Sequence, residues 1–436
     1  MATEINTPPF VAGTTFVREQ DGIHEYQLDH NGLQILLSPD PHLPVAGVMV
    51  TYRVGSRNEA IGYTGATHLL EHLMFKGSEN FNKENKSTVW DLLETKGALV
   101  NATTWNDRTN YFEVLPSEHL PVALALEADR MRRARIREQD RASEMTVVRN
   151  EFERGENLPM EAVDKQLWAL AYEAHPYHHS TIGWRSDIEN VPIERLQKFY
   201  NDFYWPDNAT VTVVGGFDEA QTLHRIVEHF GVHAKAPEAY LAMYTEEPPQ
   251  EGERRALVKR AGENNLLAWG HKIPAALHND IPALLILALI LGEGKTSRLY
   301  TALVDVAYAT DVTVVCSQFR DPGLFTTYVT LAPRVAHATI EKLIKKEYAR
   351  VARDGITASE LARALRTLRA SMAARRDGPY ALLSSLNEEI AAGDWTRFIT
   401  LPKALAAVRA KDVQRVAKNY LIDDHRTVIS FVGTRL

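Results

Sequence analysis

The feature that most constrains the fold is a weak internal repeat. A helical stretch followed by an alternating apolar strand ends at Gly215, and a similar pair ends at Gly433, 218 residues later. The Ser-Glu pair that starts at Ser143 recurs at Ser359, at an offset of 216. Nearly equal offsets at two separate places indicate a duplicated domain. Because strand-like alternation is interleaved with long helical stretches, we predict an α+β protein with two homologous domains, each a mostly antiparallel sheet flanked by helices.

The boundary between the two halves is predicted from composition. Residues 233–252 are rich in Pro, Glu and Ala, which is typical of an exposed linker. The chain has 436 residues, more than one hydrophobic core usually organises. We therefore predict a first domain at 1–232, a linker at 233–252 and a second domain at 253–436.

Charge and cysteine content exclude several classes of protein. The chain has 49 Lys and Arg against 56 Asp and Glu, so we expect no nucleic-acid partner. The single cysteine, Cys316, excludes an intrachain disulfide and a thiolate metal cage. The longest apolar run, from Ile281 to Leu291, is too short to cross a bilayer, so we expect no membrane insertion. Since residues 1–10 resemble no targeting segment, the expected location is cytoplasmic.

The clearest chemical signal is the motif His68-Leu69-Leu70-Glu71-His72. On a helix, the two histidines are one turn apart and project to the same side, and Glu71 reaches that face too. The order is the inverse of the more familiar zinc-protease helix motif, and it suits two metal ligands beside a base. A helix with two partly buried histidines and a solvated glutamate would show the same five residues. The hypothesis of a metal site therefore requires a third ligand.

A third ligand is expected to be a carboxylate on another helix, because catalytic zinc takes three protein ligands and leaves one position for water. Glu151 lies in a helical stretch and follows Glu144 by seven residues, which puts both on one helix face. Glu151 is thus a candidate ligand, with Glu144 behind it as a supporting acceptor. Glu153 is the competing ligand, although it points about 200° away from Glu151 around the helix.

Several further motifs occur in an order that resembles a known family. They are Leu73-Met74-Phe75-Lys76-Gly77, Asn101-Ala102-Thr103-Thr104 leading to Thr109-Asn110-Tyr111, the helix from Glu144 to Glu151, His175-Pro176-Tyr177 followed by Gly183-Trp184, and the strand that starts at Asn208-Ala209-Thr210. Together with the histidine motif they run along nearly the whole chain. The sequence resembles the pitrilysin/insulinase-type zinc peptidases, in the short branch related to mitochondrial processing peptidase subunits.

The resemblance implies a zinc-dependent metalloendopeptidase with one Zn²⁺ per chain that hydrolyses peptide bonds in unstructured peptides. Peptide substrate is expected to add as an extra strand to an edge of the sheet. The implied roles are zinc ligation by His68, His72 and Glu151, general-base catalysis by Glu71, orientation of the metal site by Glu144, and substrate binding beside Asn101 and Ala102.

The second half departs from the first at the metal ligands. When Gly77 is matched to Gly292, Ala283, Ile286 and Leu287 stand where the two histidines and the glutamate would be. We therefore expect the second domain to be a degenerate, metal-free copy of the first.

An incomplete substrate-binding pair suggests a partner. Members of the family commonly carry an Arg and a Tyr seven residues apart after a glycine-rich stretch, which the segment that begins at Gly292 resembles in this chain. Tyr308 matches the tyrosine as a substrate-binding residue, but Thr301 stands seven residues before it. We expect a catalytic subunit of a heterodimer whose sister subunit supplies the Arg/Tyr pair, with a homodimer as the fallback. The alternative function is a non-catalytic or peptide-binding structural subunit of the same fold.

Overall fold

A computed structural model describes residues 8–240, 243 and 245–434. Positions 241, 242 and 244 of the predicted linker lie outside the described residues. The described residues form two compact units, and each unit draws on several separate stretches of the chain. Of the described residues, those within Met1–Arg149, Thr181–Met243 and Ala374–Ile399 form unit 1, and those within Asn150–Ser180, Tyr244–Ala373 and Thr400–Leu436 form unit 2. The domain boundaries at 232 and 253 stay a prediction.

Unit 1 is built on a seven-stranded sheet in the order β1-β2-β3-β7-β4-β6-β5. Its strands are β1 Thr14–Gln20, β2 Ile23–Leu28, β3 Gln34–Pro39, β4 Val45–Tyr52, β5 Leu99–Thr104, β6 Thr109–Pro116 and β7 Ala209–Gly215. Strands β3 and β7 are parallel, and all the other neighbours are antiparallel. Strand β5 lies at one edge of this sheet.

Unit 2 is built on a five-stranded sheet in the order β10-β11-β9-β12-β8. Its strands are β8 Arg254–Ala261, β9 Leu266–Ile273, β10 Ala309–Cys316, β11 Gly323–Leu331 and β12 Arg426–Thr434. Only β8 and β12 are parallel, so both sheets are mostly antiparallel.

Helices cover the sheets. In chain order they are α1 Ala66–Met74, α2 Val89–Leu92, α3 Leu120–Arg133, α4 Glu138–Glu156, α5 Pro159–Ala171, α6 Arg185–Asn190, α7 Ile193–Phe203, α8 Glu219–Phe230, α9 Ile281–Gly292, α10 His337–Asp354, α11 Ala358–Ala374, α12 Pro379–Ala392, α13 Arg397–Ala407 and α14 Ala410–Tyr420. Helix α9 contains the long apolar run and is almost wholly buried. Among the described residues, no helix combines the length and apolar character needed to cross a membrane.

The two sheets confirm the predicted duplication. In unit 1, the strands β3-β7-β4-β6-β5 follow the same order and directions as β8-β12-β9-β11-β10 in unit 2. The helices that precede β7 and β12 in the chain also correspond, because α14 begins and ends 217 residues after α7. The predicted class, α+β with two homologous domains, is confirmed.

One pair of equivalent helices is exchanged between the two halves of the sequence. Helix α5, from the first half, packs on β8, β9 and β12 of unit 2, where Leu167 contacts a cluster that includes Phe431. Helix α12, from the second half, packs on β4, β6 and β7 of unit 1, where Leu386 joins a cluster with Met49 and Phe112. Each sheet therefore buries one face against a helix from the other half of the chain.

Candidate metal centre

Helix α1 presents two histidines on one side. Since His68 and His72 are separated by four residues, their side chains leave the helix one turn apart on the same face. Their rings meet edge to face, with centroids 4.8 Å apart and planes inclined by 81°. Burial, reinforced by the charge of His72, lowers the pKa of His68 to about 4. His68 is therefore neutral near pH 7, which is the form that donates a lone pair to a metal.

Helix α4 brings a carboxylate to the two histidines. Ligand atoms of His68, His72 and Glu151 lie within 4.8 Å of one another. Among the described residues, this is the one group of three His, Cys, Asp or Glu side chains arranged so that it could hold a metal ion, and Glu153 is not part of it. Glu144 and Glu151 are carried by one continuous helix, two turns apart. Two imidazoles and one carboxylate are the donor set of a catalytic zinc site with an open fourth position.

The carboxyl group of Glu144 contacts Nδ1 of the His72 ring. Oε2 of Glu144 lies 3.1 Å from Nδ1 of His72, and its other oxygen accepts a hydrogen bond from the Lys76 ammonium group. Burial raises the pKa of Glu144, but the hydrogen bonds from Lys76 and His72 outweigh it and hold the pKa below its usual value. An ionised Glu144 is suited to accept an Nδ1 proton from His72, an arrangement that would leave Nε2 available to a metal.

Glu71 lies on the same helix, one residue before His72, and is almost fully buried. Its Oε2 accepts a hydrogen bond from the hydroxyl group of Thr104, at the end of β5. The bond fixes the direction of the carboxylate next to the edge strand. A carboxylate held beside a metal-binding face can take and return a proton.

The predicted substrate-binding residues Asn101 and Ala102 lie on β5. Asn101 is exposed, whereas Ala102 is buried, and Oδ1 of Asn101 accepts the Ala102 backbone N–H at 2.9 Å. Arg108 holds the β5–β6 hairpin, because its guanidinium group donates to the Thr103 carbonyl at 3.1 Å and to Glu388 of α12 at 2.6 Å. Strand β5 is thus an anchored strand and, among the described residues, an edge strand of the sheet.

Tyr308 belongs to unit 2 and directly precedes β10. Its side chain is 41% exposed, and its backbone N–H donates to the Leu303 carbonyl at 2.8 Å. The nearby Arg298 forms two hydrogen bonds with Glu360, of 2.7 and 3.0 Å. The guanidinium group of Arg298 is therefore already bound to Glu360 within unit 2. The role of Tyr308 in substrate binding stays a prediction.

Comparison with known proteins identifies the family. A model of the insulinase family (peptidase family M16) matches residues 34–184, and a model of the peptidase M16 inactive domain matches residues 190–368. The chain is 30% identical over 412 residues to the zinc protease PqqE of Helicobacter pylori, covering 93% of this chain and 92% of that protein. The chain belongs to the M16 peptidase family. The family resemblance predicted from the motifs is confirmed.

Two further M16 relatives extend the comparison. The chain is 25% identical over 430 residues to the probable mitochondrial-processing peptidase subunit beta of Schizosaccharomyces pombe, covering 93% of this chain and 90% of that protein. A crystal structure of a protease from Helicobacter pylori matches with a TM-score of 0.89 and 29% identity, covering 94% of this chain and 99% of that chain.

In this M16 chain, the inactive-domain match includes α9. The positions predicted to replace the metal ligands, Ala283, Ile286 and Leu287, are buried in the apolar core of unit 2. Their side chains contain no nitrogen or oxygen donor for a metal. The predicted absence of ligands from the second half therefore has a direct chemical basis at these three positions.

Sequence reasoning gave no role to Lys76 and Thr104, although both stand in motifs of the M16 resemblance. Lys76 meets Glu144 68 residues further on, and Thr104 meets Glu71 33 residues earlier. Their positions within those motifs are the signal that could have singled them out.

Proposed function

We propose that this M16 chain is a zinc-dependent metalloendopeptidase. The observation that carries the proposal is the convergence of His68, His72 and Glu151, with Glu71 on the same helix as the two histidines. This donor set suits zinc, because three nitrogen and oxygen ligands leave one position open for water or substrate. The name zinc protease carried by the Helicobacter pylori relative supports the same metal.

Each residue of the site has a proposed role in peptide hydrolysis. Zinc held by His68, His72 and Glu151 would supply Lewis acidity, which would lower the pKa of a water molecule and polarise the scissile carbonyl. Glu71 takes a proton from the attacking water and passes it to the departing amine, while Thr104 keeps the carboxylate in place. Glu144 keeps the proton of His72 on Nδ1.

The substrate class we propose is an unstructured peptide. A peptide pairs with an edge strand only when its own backbone N–H and C=O groups are free, which excludes helices and paired strands. Strand β5, with Asn101 and Ala102, is an edge strand that ends at Thr104, the residue bound to Glu71. A peptide that paired with β5 would therefore run towards the proposed base.

We further propose that the chain works as the catalytic subunit of a heterodimer, with a sister subunit that contributes an Arg/Tyr pair and with a homodimer as the fallback. Support comes from Thr301, which stands where the arginine is expected, and from Arg298, which is bound to Glu360. The name of the Schizosaccharomyces pombe relative describes that protein as a subunit.

The proposed function is tested with the purified chain, alone and together with an M16-type protein encoded beside it. Zinc content and cleavage of a quenched fluorescent peptide are measured together. Glu71→Gln should retain zinc and lose cleavage, and Glu151→Gln should lose zinc. Glu153→Gln, on the same helix but outside the ligand group, is the matched control and should retain both properties.

Two outcomes would redirect the proposal. Stoichiometric zinc without cleavage under any pairing would favour the alternative, a non-catalytic or peptide-binding structural subunit, which the inactive-domain match over residues 190–368 supports. Full cleavage by the chain alone, as a monomer or homodimer, would contradict the heterodimer.

We also propose a cytoplasmic location. The single cysteine, Cys316, leaves the chain without an intrachain disulfide, which suits a reducing compartment. Fractionation of the producing cells with antibody detection tests the proposal, and recovery of the chain in an exported fraction would contradict it.

A further inference from the structure

The buried carboxyl group of Glu59 caps the helix that carries the proposed metal-binding histidines. Glu59 is 5% exposed; its Oε2 accepts the Gly65 N–H and its Oε1 accepts the Thr67 N–H, both at 2.7 Å. The first N–H groups of a helix have no partner within the helix and need one from outside. The N-cap residue of α1 is Gly65, which has no side chain to serve as a cap. Glu59 therefore performs from six residues upstream what an N-cap side chain performs in other helices.

A second carboxylate holds the loop between Glu59 and α1. Asp187 of α6 accepts the N–H groups of Gly62 and Thr64 at 3.1 Å and the Thr64 hydroxyl at 2.8 Å. At Gly65 the backbone has a φ of 85°, and a Cβ there would lie 2.4 Å from the Ile182 carbonyl oxygen. The loop is thus packed backbone against backbone, and the start of α1 cannot shift without breaking these contacts.

The duplicated half offers an internal comparison. Helix α9 is the counterpart of α1, and its N-cap residue, Asp280, makes no hydrogen bond from its side chain to the first turn. Asp280 instead accepts hydrogen bonds from Arg415 and Tyr420, at 2.6 and 2.8 Å. The shared fold therefore forms this helix without a carboxylate on its first N–H groups. The carboxyl cap of Glu59 is present in the half whose helix carries His68 and His72.

We propose that Glu59 is a positioning residue that holds the first turn of α1 so that His68 stays at metal-binding distance from His72 and Glu151. The inference rests on the proposed function for the identity of the metal. His68 directly follows Thr67, whose N–H Glu59 accepts, so fraying of the first turn moves His68 before it moves His72. Metal–ligand distances tolerate only about 0.2 Å, so a small displacement of one ligand weakens binding.

Glu59→Gln is the test variant, because it keeps the size of the side chain but turns one of the two acceptor atoms into an amide donor that faces a backbone N–H. Two quantities are measured on the full chain. The first is amide hydrogen exchange of residues 65–70 without metal, which should become at least about 10-fold faster as the first turn opens more often. The second is Zn²⁺ affinity by competition with a chelator, which should weaken about 10- to 100-fold.

Asp218→Asn is the matched control. Oδ1 of Asp218 accepts the Gln221 N–H at 2.8 Å and so caps α8, which contains none of the metal-site residues. This variant should leave Zn²⁺ affinity unchanged and alter the unfolding temperature little, because Asn caps a helix about as well as Asp does. Glu59→Asp, which keeps both acceptor oxygens on a shorter side chain, should recover part of the affinity lost in Glu59→Gln.

The outcomes separate the two proposals. Native Zn²⁺ affinity in Glu59→Gln, unchanged exchange at residues 65–70, or no recovery in Glu59→Asp would each overturn the positioning role and leave the peptidase proposal standing. Failure of the unaltered chain to bind Zn²⁺ would overturn the proposed function and, with it, the role of Glu59 at a metal.

Discussion

Nδ1 of His72 and Oε2 of Glu144 lie 3.1 Å apart, so the imidazole is oriented by a carboxylate on a different helix. The same carboxylate binds the ammonium group of Lys76, which lies two residues after Met74, the last residue of α1. Glu144 therefore ties the C-terminal end of α1 to α4, the helix that carries Glu151. The proposed metal centre depends on this link for both its ligand chemistry and its geometry.

Glu144→Gln should weaken Zn²⁺ binding about 10- to 100-fold, because an amide accepts the Nδ1 proton of His72 less strongly than a carboxylate does. Chelator competition measures the change. Glu153→Gln, a substitution of the same kind on the same helix, should bind Zn²⁺ like the unaltered chain. Equal affinities in the two variants would remove Glu144 from the site.

Thr104→Val should lower kcat about 10-fold with little change in KM or zinc content, because it removes the hydroxyl group that holds Glu71. Thr310→Val, in the equivalent edge strand β10, is the control. An unchanged kcat in Thr104→Val would show that the hydroxyl does not act on the base.

Arg130→Met should destabilise the chain by about 3–5 kcal/mol, because it leaves two buried carboxylates without their cation. Arg130 donates to Glu127 and, at 3.4 Å, to Glu113, and both glutamates are fully buried. Urea unfolding measures the loss. Arg133→Met, on the same helix but 41% exposed at its side chain, should cost less than about 1 kcal/mol. Similar losses in both variants would contradict this account.

Stability should fall as the pH drops from about 6.5 towards 3, because burial, helped by the charge of Arg426, lowers the pKa of His271 to about 3. The unfolded chain binds a proton near pH 6.5 while the folded chain keeps His271 neutral, so the unfolded state gains protons over this interval. The slope approaches about 1.4 kcal/mol per pH unit for one such group.

The His271 prediction is checked by urea unfolding at several pH values. His271→Phe should make the acid side of the stability curve less steep, whereas His30→Gln, at an exposed position, should leave it unchanged. A curve that is equally steep in His271→Phe would assign the acid sensitivity to other groups.

Local periodicity accounts for what the sequence could predict of the site. The spacing of His68, Glu71 and His72 requires only that the segment be helical, and the seven residues between Glu144 and Glu151 set their common face in the same way. The apolar run in α9 likewise needs no tertiary information to be recognised as buried. The meeting of the two helices could not be derived from spacing: it was inferred from the need for a third metal ligand and was also implied by the family resemblance.

Long-range contacts account for what the sequence did not reveal. Glu59 looks like one of many glutamates until the loop folds back onto Gly65 and Thr67, and Asp187 reaches that loop from more than 120 residues away. The exchange of α5 and α12 was not predicted either, since the apolar face of a helix shows that it packs on something but not on which sheet.

This exchange has a consequence for synthesis of the chain. When the ribosome has completed β7, every strand of the first sheet exists, yet the helix that covers its Met49 face ends only at Ala392. Until then, an apolar surface of that sheet stays open to water and to other nascent chains. Neither half of the polypeptide therefore contains all the helices that cover its own sheet. The two copies of the duplicated domain must complete their folding together.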